Sequence, residues 1–224
     1  TGSPTITIAS GVATLSVAQT GNIGQGFRIT YDTSKVCFIS KVNSSTSFDV
    51  VTATGGTPSN EASAVVVNSI AADYASLSAA EAGASDANHL NTSDLVTATT
   101  ILNLVCYAGA SADAAALTID GYTTDSTRFI NIYTPTGGTQ SINSQRHAGV
   151  WKSKAYTVDR VVSSGYNRVA VIGDPHAVID GLQISGSGSA TELIGIYNNS
   201  GTNDGRVLIR NCLIDINLTS GTGM

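Results

Sequence analysis

The sequence predicts an all-β chain in two parts: a small antiparallel β-barrel or sandwich over residues 1–70, then a right-handed parallel β-helix over 71–224 that opens with a capping helix. Three observations predict it. The first is a repeat: A-V-I-D-G-L-Q-I at 177–184 returns as V-L-I-R-N-C-L-I at 207–214. Ile179 then aligns with Ile209, Asp180 with Arg210, Gly181 with Asn211, Leu182 with Cys212 and Ile184 with Ile214. An offset of about 30 residues lies in the range that marks solenoids. The second is the apolar run L-I-G-I-Y at 193–197, set between the copies and flanked by Gly, Ser and Asn. Three short strands with polar corners make one coil, and a coil buries its inward face only by stacking on its neighbours. The third is composition: 42% hydrophobic residues, 12% charged and 23 glycines in 224 residues, with β-branched residues alternating with polar ones, which argues against disorder.

The elements follow in order. T-I-T-I-A at 5–9 and A-T-L-S-V-A at 13–18 alternate cleanly around Ser10-Gly11, a hairpin signal. F-R-I-T-Y (27–31), V-C-F-I-S (36–40), F-D-V-V-T (48–52) and A-V-V-V (64–67) continue the antiparallel series. The alternative is that these strands add a layer to the solenoid. D-Y-A-S-L-S-A-A-E-A-G at 73–83 predicts a helix, with Asp73 as cap and Gly83 as stop. Such a helix would cover the first coil with Leu77 and Ala80 and expose Ser78 and Glu81. Strand runs resume at 100–107, 116–122, 128–133, 155–161 and 168–173, and the words T-I-D-G-Y (118–122) and V-I-D-G-L (178–182) suggest one recurring glycine corner. Residues 134–154 interrupt the pattern and are expected to leave the solenoid as a long loop, a place where function often resides.

With those residues in view, 73–224 resembles right-handed parallel β-helix proteins of the pectate-lyase-like class. A narrower resemblance, carried by D-Y-x-S-L-S-A-A-E-A, T-I-D-G-Y-T-T-D and R-H-x-G-V-W, is to uncharacterised β-helix surface proteins of bacteria and tailed phages. The class includes polysaccharide lyases, polygalacturonases, and non-catalytic tailspikes and adhesins. The resemblance implies that a lyase would hold Ca2+ on clustered acids and use an Arg or Lys base. Here Asp120, Asp180 and Asp215 stand one per coil, with no D-x-D or E-x-x-D cluster. The G-H-G and R-I-K strings and the carboxylate pair of a polygalacturonase-like hydrolase are also missing from the sequence.

The densest polar and aromatic string is Arg146-His147-Ala148-Gly149-Val150-Trp151-Lys152. As a carbohydrate site, Trp151 would stack on a pyranose face, with Arg146, His147 and Lys152 beside it. The blander reading is a loop anchored by its Trp, with Arg146 and His147 bonding backbone carbonyls. His89 in its polar loop is expected to be solvated, and His176 to mark a turn after Asp174-Pro175. Asp113, Asp120 and Asp125 would hold a surface Ca2+ if they meet at one corner; a solvated acidic edge is the default, and no other cofactor is indicated. Net charge −5 and a pI near 4.9 argue against nucleic acid or an anionic membrane as partner, and no run of about 18 apolar residues predicts insertion. Cys37, Cys106 and Cys212 are read as free thiols, with a disulfide as the alternative and the redox compartment left open.

The functional expectation is therefore a non-catalytic extracellular structural or adhesive protein, a filament or fibre subunit on a cell or virion surface. Its alternative is a polysaccharide-binding or lyase-like domain. Since a coil near 216 still needs a neighbour, head-to-tail self-association is expected, with Thr5, Ile6, Thr7 and Ile8 of one subunit meeting Leu193, Ile194 and Ile214 of the next. The rival account of that open coil is a chain that continues beyond Met224.

Overall fold

A computed structural model describes residues 4–201 and 205–223. The chain divides into two compact units: Thr1–Asp73 with Asn88–Leu90 and Pro135–Gln145, and Tyr74–Ala87 with Asn91–Thr134 and Arg146–Met224.

The first unit is built from six strands: β1 (Thr5–Ala9), β2 (Val12–Leu15), β3 (Arg28–Tyr31), β4 (Lys35–Val42), β5 (Ser47–Val51) and β6 (Glu61–Ala71). They close into an antiparallel barrel in the order β1-β2-β5-β4-β3-β6, which leaves the predicted strands no need to lie along a solenoid. The hairpin at Ser10-Gly11 forms because both residues take positive φ, 50° and 78°, the geometry that matches strand twist in a two-residue turn. Alternation sends Ile6, Ile8, Ala13, Ile29, Cys37, Ile39 and Phe48 inward, each essentially fully buried. Asp73 does not cap a helix; its carboxylate takes Arg28 Nη1 at 3.0 Å and His89 Nε2 at 2.6 Å. His89 is accordingly not a solvated loop residue, and its ring lies 6.1 Å from that of Phe38. The segment 135–145 belongs with this unit. Gln25 N–H donates to Gln140 O and Asn143 Nδ2 to Gly21 O, while the buried Ser141 hydroxyl reaches the Thr136 and Asn143 carbonyls.

The second unit opens with the helix α1 (Leu77–Gly83), followed by β7 (Leu102–Val105), β8 (Leu117–Ile119), β9 (Ile130–Tyr133), β10 (Thr157–Val162), β11 (Tyr166–Ile172), β12 (His176–Asp180), β13 (Gln183–Asn198), β14 (Arg206–Arg210) and β15 (Leu213–Gly223). The strands form a parallel, solenoid-like stack. Its four rungs are read from the sheet β7-β9-β12-β14, and the other faces from β8, β10, β11, β13 and β15. The register is that of the repeat: Ile179 pairs with Ile209, Asp180 with Arg210 and Ile184 with Ile214. L-I-G-I-Y is not a separate strand, because β13 runs on through it after bending at Gly188.

Aliphatic residues therefore form columns. Leu104, Ile132, Ile179 and Ile209 succeed one another down one inward column, and Val158, Ile184 and Ile214 down another. The inner members are buried, while Ile209 and Ile214 are 41% and 50% exposed and Cys212 is half-buried. The corner after β12 needs positive φ: Gly181 has φ +83°, and its counterpart Asn211 has φ +50°, a conformation Asn tolerates better than most residues. The two I-D-G words do not stack. Ile119 pairs with Ile172 on one sheet, whereas Asp180 pairs with Tyr133 on another.

The helix is shorter than predicted, and its start explains why. Ser76, not Asp73, is the cap, with its hydroxyl accepting from Ala79 N–H. The Leu77 N–H donates to Asp113 Oδ2 at 2.8 Å, so a residue far along the chain pins the first turn. Leu77 is buried, as predicted, but Glu81 is not free in solvent: its carboxylate accepts Asp120 N–H at 3.1 Å and its carbonyl accepts the Tyr122 hydroxyl. Ser76→Ala is expected to lower stability by about 1 kcal/mol, read as a drop of a few degrees in Tm. An unchanged melt would mean that Asp113 alone fixes the helix start.

Candidate functional site

A groove of about 410 Å³ runs along the second unit, a size typical of ligand sites. Register builds its floor. Asp159 on β10 pairs with Ser185 on β13, and Ser185 with Asp215 on β15, so three polar residues line up across adjacent strands. At about 4.8 Å per strand, the two carboxylates are carried on Cα atoms roughly 10 Å apart with the serine between them. Tyr156 lies at the base, 8% exposed, and its hydroxyl donates to Asp113 Oδ2 at 2.6 Å. Burial in the first place, and then neighbouring Cys106 and Asp113, push that phenol far above its ordinary range and keep it a neutral donor. One wall is the small-residue run 108–112, and Trp151, 46% exposed, stands on the rim.

Gln183 explains why Trp151 sits there. Its side chain is fully buried, and its amide holds the neighbouring peptide at both ends: Lys152 N–H donates to Gln183 Oε1 at 2.6 Å, and Gln183 Nε2 donates to Lys152 O at 2.9 Å. The same Nε2 reaches Thr157 Oγ1 at 2.8 Å. An amide thus imitates the ladder of a missing strand. The only hint in the sequence was a Gln inside the apolar word G-L-Q-I.

The rest of the predicted carbohydrate set is placed otherwise. The Arg146 guanidinium lies over Gly181, where an added Cβ would come within 2.2 Å of Nε. It pairs with Asp180 Oδ1 at 2.5 Å and donates twice to Thr134 O. Asp180 also takes Arg210 Nε at 3.0 Å and Asn211 Nδ2 at 2.9 Å. Burial alone would raise this carboxyl; the Asn211 and Arg146 hydrogen bonds and the Arg146 and Arg210 charges outweigh it and hold the group below its ordinary value. Arg146 is therefore a corner pin, held by the Asp180 carboxylate and the Thr134 carbonyl. His147 is 8% exposed, with Nδ1 accepting from Gly149 N–H and Nε2 buried without a partner. Lys152 enters through its backbone, its ammonium lying 3.5 Å from Arg146 O.

The Ca2+ set does not converge. Asp113 accepts from Leu77 N–H, Ala115 N–H and the Tyr156 hydroxyl; Asp125 accepts from Thr127 and Arg128 in a local turn; Asp120 accepts from Gly121 N–H. Among the described residues no group of three or more His, Cys, Asp or Glu side chains is placed to hold a metal ion. A different acidic neighbourhood forms instead, from Asp174, Asp120 and Glu81. Asp174 is 3% exposed, with Oδ1 accepting Tyr122 N–H at 3.0 Å and Oδ2 buried without a partner. Burial first and the Asp120 charge second push its carboxyl up to about 6, against the opposing backbone N–H groups.

Of the predicted assembly residues, Thr5, Ile6, Thr7 and Ile8 lie in β1, which pairs with β2 on one side and β6 on the other, so this strand has no free edge to lend. Ile6 and Ile8 are in the barrel core. Leu193 is fully buried and Ile194 half-buried, which leaves Ile214 as the exposed apolar member of that set. Cys37, Cys106 and Cys212 are free thiols; the first two are buried, and burial pushes Cys37 up to about 12 and Cys106 further still. Among the described residues no helix is long and apolar enough to cross a membrane. No family model, no curated protein and no solved structure matches the chain.

Proposed function

We propose that the second unit is a non-catalytic glycan-binding solenoid of the pectate-lyase-like, right-handed kind, with α1 capping its first coil, and that the protein acts as an adhesive module at a cell or virion surface. The single observation that carries this reading is the groove: an exposed indole beside an outward row of hydrogen-bonding side chains fixed by strand register. An aromatic face stacks on the apolar C–H face of a pyranose, and a few convergent polar groups then orient its hydroxyls. Calorimetry with a panel of neutral and charged oligosaccharides tests it. Trp151→Ala is expected to weaken binding at least ten-fold, about 1.4 kcal/mol. Release of reducing ends from a bound oligosaccharide would overturn the non-catalytic part, and a bound sugar indifferent to Trp151→Ala would place the site elsewhere.

Self-association is a second reading, supported by the exposed apolar side chains of Ile209 and Ile214. It needs no strand from β1. Light scattering of the chain beside Ile209→Asp tests it: association lost in the variant supports the reading, and a monomer at all concentrations removes it.

A further inference from the structure

The groove is one-sided in charge. Its lining includes Asp159 and Asp215 and not one Lys, Arg or His among the described residues. Among the described residues neither carboxylate accepts a hydrogen bond that holds the fold together: Asp159 joins the structure through its backbone N–H to Asp113 O, and Asp215 is solvent-exposed. Uronates and sulfated glycans would bring their own negative charge against these two groups in a partly desolvated cleft, where like charges repel. Trp151 at the rim independently favours the opposite sign, because the face of an indole attracts an ammonium group. The paired register sets a further condition, since Asp159 and Asp215 are separated by Ser185 across the strands at roughly the length of a disaccharide.

Resting on the glycan-binding reading above, we propose that the groove selects a cationic amino-sugar chain, a polymer of free 2-amino-hexoses, whose ammonium groups on alternate residues meet Asp159 and Asp215 while an intervening ring stacks on Trp151. Ser185 accepts or donates to the hydroxyls of the central ring. The interaction is an ion pairing with charge-assisted hydrogen bonds, and it weakens as salt rises or as the amines lose their protons.

The test is calorimetric titration of the full chain, at pH 5.5 and low salt, with a glucosamine tetramer, its fully N-acetylated counterpart, a galacturonate tetramer and tetralysine. The glucosamine tetramer is expected to bind, with at least ten-fold loss on acetylation, no binding of the galacturonate, and at least ten-fold loss in Asp159→Asn/Asp215→Asn. Both positions lie on the outward face, and a melt of the double variant matching the parent confirms that it is folded. If the acetylated tetramer binds equally well and the double variant is unaffected, the amino-sugar inference fails, while dependence on Trp151 keeps the glycan reading alive. If tetralysine binds as tightly and survives Trp151→Ala, the groove recognises a cationic peptide and the sugar is wrong. If no oligosaccharide binds at all, both readings fall.

Discussion

Asp180→Ala is expected to destabilise the second unit by about 2–4 kcal/mol, because it leaves one part-buried guanidinium and one exposed guanidinium without their carboxylate. Asp180 is 13% exposed and sits at the centre of a corner that ties three rungs. Arg146 comes from the segment after β9, Asp180 ends β12, and Arg210 and Asn211 lie at the next corner. Arg146 also donates to Thr134 O, so losing the carboxylate loosens a second contact of the same corner. Asp180→Asn keeps the shape and some acceptor capacity and should cost less. The sign with pH follows from the lowered carboxyl. The stabilisation is complete above the unfolded-state value and is lost as pH falls through the lower folded-state value. Urea unfolding at pH 7 measures the effect, and a loss below 1 kcal/mol for Asp180→Ala would show that the corner is held without the ion cluster.

Asp174 is expected to act with the opposite sign. Its carboxyl, moved from 3.8 up to about 6, favours the protonated form in the folded chain. Its contribution is therefore fully present below the unfolded-state value and lost as pH rises through the folded one, a window from about pH 4 to 6. The shift sets an upper limit of about 3 kcal/mol across that window, which solvent screening reduces. Asp174→Asn retains an oxygen for Tyr122 N–H and removes the ionisation. The variant should match the parent near pH 4 and exceed it at pH 8 by a margin within that limit. Unfolding midpoints at pH 4, 6 and 8 decide the matter, and parallel curves for the two proteins would refute it. Glu81 reinforces the trend in the parent, since burial first and Asp174 and Asp120 after it raise that carboxyl too.

What was legible in the sequence was whatever depends on near neighbours or on strict repetition. Ser10-Gly11 reads as a turn because its backbone angles are a local matter. The pairing of Ile179 with Ile209 is readable because a coil returns an apolar residue to the same inward position. The I-D-G words misled for the converse reason. Stacking follows the path of the coil, and two similar corners on different sheets look alike only in one dimension. The helix start at Leu77 and the burial of Arg146 depend on Asp113 and Asp180, each more than thirty positions away, and no local pattern announces such partners. The groove was hidden in the same way. Asp215 looked isolated along the chain and gained Asp159 as a neighbour only through the ladder β10-β13-β15.

The thiols give each unit its own clock. Cys37 lies in the barrel core and Cys106 at the end of β7 in the stack, both shielded from solvent and both held protonated by burial. A thiolate-seeking reagent reaches each only when its surroundings open. Pulsed alkylation followed by peptide mass analysis therefore times the opening of the barrel and of the stack separately in one untouched chain. Equal labelling rates at the two positions mean that the units unfold as one cooperative body; unequal rates rank them. Cys212, half-buried on the last rung, supplies a third time point for fraying of the stack from that side.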